Sequence, residues 1–136
     1  MIIHEIPAKM TTEWNDDIRA IIDTVYTFML SLEEFETAVL TKGLPFAEKR
    51  NGQAWIVDSS RATGIFIKEI QDFIDTVVFP AFKKSGIKYF ITVNTSNSIL
   101  AQRTVDVFSN FTPDHNLRLV QVSSITEAID WLKSRE

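Results

Sequence analysis

A strand, a helix and a second strand follow one another along residues 53–94, QAWIVDSSRATGIFIKEIQDFIDTVVFPAFKKSGIKYFITVN. The runs Gln53–Asp58 and Ile87–Asn94 are rich in the β-branched and aromatic residues that suit strands. Between them, apolar residues recur at three- and four-residue spacing from Ile67 to Phe82, which predicts a helix that Pro80 kinks near its end. A connection of this length predicts that the two strands lie parallel.

The same alternation continues towards the C-terminus. We expect a helix over Ser98–Phe111 and a strand over Leu117–Val122. Ser124–Glu127 has the form of a capping box, in which a serine oxygen accepts from a backbone amide and a glutamate reaches back. It opens a terminal helix with its apolar residues on one face. The three strands of this half are therefore predicted to be parallel.

The N-terminal part differs, because tight turns join its β-rich runs. Met1–Ile6 is a short apolar run, and Thr11–Asn15 is followed by the turn signal Asn15–Asp17. Ile18–Met29 is dense in residues that favour strands. A polar turn between two such runs favours an antiparallel hairpin.

A helix is predicted after this hairpin. Ser31–Glu34 is a capping box, and apolar residues from Leu32 to Phe46 lie on one helical face. Pro45 lacks a backbone donor, so we expect the helix to bend or break near it.

Together these elements predict one α/β domain over residues 1–136. Its mixed sheet has about five or six strands, an N-terminal antiparallel hairpin and three C-terminal parallel strands, with four helices in the order β(β)βαβαβαβα.

Composition excludes several functional classes. The formal net charge is −4, which disfavours binding to nucleic acid or to an anionic membrane surface. The chain has no cysteine and only two histidines, His4 and His115, so disulfides, thiolate chemistry and His-rich metal sites are not expected. No apolar run reaches the ~20 residues of a transmembrane helix, and no signal peptide is recognisable. We expect a cytoplasmic protein without a cofactor.

Polar residues follow each strand of the predicted parallel sheet. Ligands of open α/β sheets bind at the carboxyl ends of the strands, and amides that precede helices suit polar or anionic groups. The candidate ligand-binding residues are Asp58, Ser59, Ser60, Arg61, Asn94, Thr95, Ser96, Asn97, Ser123 and Ser124.

A purely structural role explains the same residues. Small polar side chains are also what turns and helix N-caps need. Asp58 and Arg61 are expected to form an ion pair that braces the turn. Both interpretations stay open at this point.

The predicted helix after residue 66 carries many aromatic residues. Because it is apolar on more than one side, it indicates either an interface or apolar pocket, or else a fully buried helix. The candidate residues are Phe66, Phe73, Val77, Phe79 and Phe82.

Most of the chain beyond residue 11 resembles the SpoIIAA-like group of bacterial STAS-like domains, which is related to anti-sigma-factor antagonists. The motifs that carry the resemblance are Leu32–Phe35, Trp55–Asp58, Val78–Ala81, Gly86–Lys88, Phe90–Val93 and Glu127–Leu132. The resemblance implies a mixed sheet with helices and a role in regulation or ligand binding. Related domains are also similar in shape to lipid-carrying modules, which implies an apolar pocket.

One departure from that group concerns phosphorylation. Anti-sigma-factor antagonists carry a phosphorylatable serine about eight residues after the aspartate that ends the strand. Counted from Asp58, this register falls on Phe66 and Ile67, which cannot be phosphorylated. Ser59, Ser60 and Thr63 are nearby but do not occupy the position, so a phosphoswitch is not carried over.

The sequence thus leaves two hypotheses of different classes. The first is a non-enzymatic regulatory or protein-interaction module, whose partner is another protein or a second copy of the chain. The second is a carrier or sensor of a small apolar or anionic ligand. Two isolated histidines give no basis for a Ser–His–Asp arrangement, so catalysis is not expected.

Overall fold

The computed structural model describes residues 1–93 and 117–135. Six strands form one sheet, in which they lie side by side in the order of the chain. They are β1 (Ile2–Ile6), β2 (Met10–Asn15), β3 (Ala20–Val25), β4 (Ala54–Asp58), β5 (Tyr89–Val93) and β6 (Arg118–Val122). The α/β class and the mixed sheet are confirmed.

The sheet changes from antiparallel to parallel at β3. The pairs β1–β2 and β2–β3 are antiparallel, so the expected hairpin is present. The pairs β3–β4, β4–β5 and β5–β6 are parallel, so four strands run parallel rather than three. β3 is also shorter than the predicted run Ile18–Met29, because the amides of Tyr26 and Thr27 turn back to the carbonyl oxygen of Lys9.

Two long helices connect the parallel strands. The first long helix (residues 32–49) consists of α1 (Leu32–Glu36), a π-helical segment (Thr37–Gly43) and α2 (Leu44–Lys49). The second long helix (residues 68–84) consists of α3 (Lys68–Phe73), a π-helical segment (Ile74–Val78) and α4 (Phe79–Lys84). After β6 the chain forms α5 (Ile125–Lys133).

The prolines do not end these helices. Pro45 and Pro80 each lie two residues after a π-helical segment, and the helices continue to Lys49 and Lys84. In a π turn the amide bonds to the carbonyl group five residues back, which widens the helix. We attribute the tolerance of proline to this widening, because in a regular α-helix the proline ring would clash with the carbonyl group four residues back.

The two faces of the sheet have separate cores. The long helices cover one face, where Ile21, Trp55 and Phe90 belong to the larger hydrophobic cluster. On the other face, α5 buries Ala128 and Leu132 against a smaller cluster that includes residues of β4 and β5. The sheet is therefore the middle layer of the described residues.

Three helices are present in residues 1–93 and 117–135, and none of them is long and apolar enough to cross a membrane. The fourth predicted helix, Ser98–Phe111, lies outside the described residues.

Candidate functional site

The strands β4, β5 and β6 end in register at one edge of the sheet. Asp58 is the register partner of Val93, and Val93 is the register partner of Val122. The residues after β4 and β6 therefore leave the same edge of the sheet. Asn94, Thr95, Ser96 and Asn97, which follow β5, lie outside the described residues.

The residues after β4 form hydrogen bonds within their own turn or to the neighbouring strand. Asp58 Oδ1 accepts from the amide and the hydroxyl of Ser60, at 3.1 and 2.7 Å. The prediction of an ion pair between Asp58 and Arg61 is wrong, because the ion pairs of residues 1–93 and 117–135 lie elsewhere. The carboxylate caps its own turn instead, and Arg61 is exposed. Ser59 is buried, and its hydroxyl donates to the carbonyl oxygen of Val93 at 3.2 Å.

The two serines after β6 hold the start of α5. The Ser124 hydroxyl accepts from the amide of Glu127 at 3.1 Å, as expected for an N-cap. The Glu127 carboxylate accepts from the amide and hydroxyl of Ser123, at 3.0 and 2.6 Å, rather than from the amide of Ser124. These bonds lower the pKa of Glu127. The serines thus stabilise a helix terminus, which favours the structural interpretation at this strand end.

The five candidate residues in and just before the second long helix divide between core and surface. Phe79 and Phe82 are fully buried, and Phe82 stacks on Trp55 with ring centroids 4.6 Å apart. Phe66 and Phe73 are half-buried and contact Phe35 edge to face. Val77 is exposed.

Exposed apolar side chains gather where the chain leaves β3 and β4. The segments 26–30 and 59–67 pair there. The amide of Phe28 donates to the carbonyl oxygen of Thr63 at 2.9 Å, and the amide of Thr63 donates to the carbonyl oxygen of Tyr26 at 3.2 Å. Phe66 packs inward on Phe28, with centroids 4.6 Å apart. Four residues of these paired segments, Tyr26, Met29, Ile65 and Ile67, are between 43% and 70% exposed. We call these four residues the apolar corner.

A buried carboxyl group lies inside the larger core. Asp23 on β3 is 3% exposed. Its Oδ1 accepts from the hydroxyl of Thr12 at 2.6 Å, and its Oδ2 accepts from the indole N–H of Trp55 at 2.8 Å. Burial raises the pKa of Asp23 to about 6. The two hydrogen bonds stabilise the charged form and so lower the pKa, but burial has the larger effect.

A small cavity adjoins this carboxyl group. It lies between the sheet and both long helices, and its volume is about 30 Å³. Both π-helical segments reach it, through Val39 from the first and through Ile74 and Val78 from the second. Of the predicted aromatic residues, Phe66 and Phe82 line this cavity. We call it the Asp23 cavity.

Sequence reasoning missed Asp23, although a signal was present. In the run Ala20–Val25, Ile21, Asp23 and Val25 alternate onto one face of the strand, and Ile21 and Val25 are typical of a buried face. An acid at the middle position of such a face is uncommon unless it has partners. The partners, Thr12 and Trp55, come from the neighbouring strands.

Comparison of the chain with protein-family models, with curated proteins and with solved structures gives no match. What the chain does is therefore inferred from its own residues.

Proposed function

We propose that this chain is a non-enzymatic protein-interaction module that self-associates through the apolar corner. The observation that carries the proposal is the grouping of exposed apolar side chains. Of the eight large hydrophobic residues that are exposed in the described part of the chain, four belong to the corner. Exposed apolar residues that cluster in this way mark interaction surfaces more often than isolated ones do.

The backbone of the corner supports a defined binding surface. The Thr27–Thr63 bridge joins its two segments as neighbouring strands. Gly64, which follows Thr63 in the second segment, has a φ of +76°, and a Cβ atom there would lie 2.9 Å from Cγ of Met29. Because hydrogen bonds hold the backbones of the paired segments together, little backbone entropy would be lost on association.

A second copy of the chain is the partner that we propose. The four side chains of the corner carry no charge, so two copies of this surface can face each other across a twofold axis without repulsion between these residues. A charged surface of one sign would repel its own copy. A stable dimer would need to bury roughly 1,200 Å² in total, so the contact must extend beyond these four side chains.

The resemblance to STAS-like domains supports a regulatory role for the proposed dimer. We propose also that the fold is SpoIIAA-like and that the protein is cytoplasmic. The register of the phosphorylatable serine of those domains falls on Phe66 and Ile67. Ile67 lies in the apolar corner, and Phe66 packs beneath it. At this position the chain would offer a permanent apolar contact rather than a switchable one.

Sedimentation velocity over a wide range of concentration tests the proposal. We expect a monomer–dimer equilibrium for the native sequence. The double variant Met29→Glu, Ile67→Glu is expected to be monomeric, because each dimer would bury four uncompensated charges.

Ile2→Glu is the matched control. Ile2 is 60% exposed on the edge strand β1, outside the apolar corner, so this variant is expected to dimerise as the native protein does. A native protein that stays monomeric at every concentration would refute the proposal, as would an Ile2→Glu variant that loses the dimer equally.

A further inference from the structure

Asp23 is a buried acid whose hydrogen-bond partners are neutral. Thr12 and Trp55 donate to it, but neither carries a charge. The two ion pairs found in residues 1–93 and 117–135 lie elsewhere, at Lys9–Glu34 and Lys68–Asp72. Buried carboxylates in proteins are usually paired with a cation, because burial without a counter-charge is costly. The charge on Asp23 therefore lacks a cationic partner in the part of the chain that the structure describes.

The wall of the Asp23 cavity is aromatic on several sides. The rings that line it belong to Phe35, Trp55, Phe66, Phe82 and Phe90. The faces of aromatic rings carry negative electrostatic potential, and they attract cations most strongly where water is excluded. A carboxylate beside several aromatic rings is a suitable environment for an ammonium group.

We propose that the Asp23 cavity binds the ammonium group of a small organic cation of about the size of methylammonium. The carboxylate would neutralise the charge and accept its hydrogen bond, and the rings would contact its apolar part. Each carboxylate oxygen already accepts one bond and has a second lone pair for the ligand.

The size of the cavity limits the ligand. A space of about 30 Å³ exceeds the 10–15 Å³ that one water-sized group requires, but it is far below the volume of a lipid chain. Only the cationic end of a molecule fits without movement of the helices. Phe66 is half-buried next to Ile65 and Ile67, so displacement of its ring would open a path from the surface.

Other small ligands fit the wall less well. An anion would be repelled by Asp23. A divalent metal ion needs several oxygen or nitrogen ligands, and the described residues contain no group of three or more His, Asp or Glu side chains that could hold one. A water molecule could bond to the carboxylate, but it would leave the charge of Asp23 without a counter-charge, which an ammonium group supplies.

The indole N–H of Trp55 is the probe for the test, because it donates to Asp23. We would follow its proton–nitrogen resonance at a pH about two units above the pKa of Asp23 while methylammonium chloride is added. Sodium chloride controls for ionic strength, and methanol is the neutral ligand of similar size. We expect a saturable shift with methylammonium and none with the other two.

Three variants test whether the shift of the Trp55 resonance comes from binding in the Asp23 cavity or from an effect of the salt on the whole protein. Asp23→Asn removes the charge and is expected to weaken binding by at least about tenfold. Val39→Ile keeps the charge but adds one methylene group to the cavity wall, so it is expected to abolish binding even if the Asn variant folds poorly. Asp72→Asn, on the exposed Lys68–Asp72 pair, is the matched control and is expected to bind normally.

The inference is overturned if methylammonium gives no saturable shift, if methanol binds equally well, or if Val39→Ile binds as the native protein does. It does not depend on self-association. The Met29→Glu, Ile67→Glu variant is expected to retain the cation site, so that failure of one proposal leaves the other intact.

Discussion

At the scale of single residues, the unusual feature is the group formed by Thr12, Asp23 and Trp55. Each residue comes from a different strand, and Thr12 and Asp23 are direct register partners. Burial raises the pKa of Asp23, while the two donors limit the rise to a value of about 6. The group is thus a compromise between desolvation, which favours the neutral acid, and hydrogen bonds, which favour the anion.

The raised pKa predicts an unusual dependence of stability on pH. Because the folded state holds the proton of Asp23 more tightly than the unfolded state, the free energy of unfolding falls as pH rises from 3.8 through the folded pKa of about 6, and it levels off about one pH unit above that. Between about pH 5 and pH 7.5 this amounts to a loss of about 1 kcal/mol. The lowered pKa values of Glu34 and Glu127 act in the opposite direction, and only below their ordinary value of 4.5.

Urea denaturation across this pH range checks the prediction. Asp23→Asn is expected to lack the decline, so the difference between the two proteins isolates Asp23 from the other titrating groups. Parallel pH profiles for the native protein and the variant would contradict the raised pKa.

At the scale of elements, the first long helix packs closely against Trp55 of the sheet at Gly43. A Cβ atom added there would lie 2.6 Å from Cη2 of Trp55 and 3.0 Å from the carbonyl oxygen of Ala38. The Trp55 ring has little room to move, because it stacks on Phe82 and donates to Asp23. A glycine at the end of a π-helical segment thus lets the helix pack against a tryptophan.

Gly43→Ala is therefore expected to destabilise the protein. In an exposed helix this change gains up to about 1 kcal/mol, but here the overpacking costs about 1–3 kcal/mol. Thermal or urea unfolding gives the net effect. In a Trp55→Phe background, where the ring is smaller, the same substitution is expected to be neutral or stabilising. Equal effects in both backgrounds would show that the contact with Trp55 does not matter.

The sequence indicated some parts of these helices and not others. The Ser31–Glu34 capping box is present as predicted, with both of its hydrogen bonds, because capping depends on residues three positions apart. The π-helical segments were not predicted, and the prolines after them were expected to bend or break the helices. Whether a helical turn widens into a π turn depends on what the helix packs against, and the spacing of apolar residues along the sequence does not contain that information.

At the scale of the whole molecule, the sequential strand order leaves β3 and β4 as neighbours. The segments that leave these two strands can therefore pair, and they form the apolar corner. Tyr26, Thr27 and Phe28 have strand propensity, which explains why the predicted strand was too long. Their actual conformation is fixed by contacts with residues around Thr63.

Self-association through the corner predicts that stability depends on protein concentration. If the dimer unfolds to separate chains, the midpoint of thermal unfolding should rise as concentration increases. Calorimetry at several concentrations measures this, and the midpoint of Met29→Glu, Ile67→Glu should stay constant. A native midpoint that does not change with concentration would contradict a dimer in that range.

The sequence by itself determined the alternation of strands and helices, the antiparallel hairpin and the parallel pairing of the later strands. These features follow from the spacing of apolar residues, from caps and from connection length, all of which act over a few residues or one crossover. Only the tertiary structure showed that Asp58 accepts hydrogen bonds within its own turn and that Glu127 bonds to Ser123 rather than to the amide of Ser124. It also decided that Asp23 lies beside an aromatic cavity. The physical reason is that this cavity takes its wall from three strands and two helices, and no local pattern specifies which distant side chains will share it.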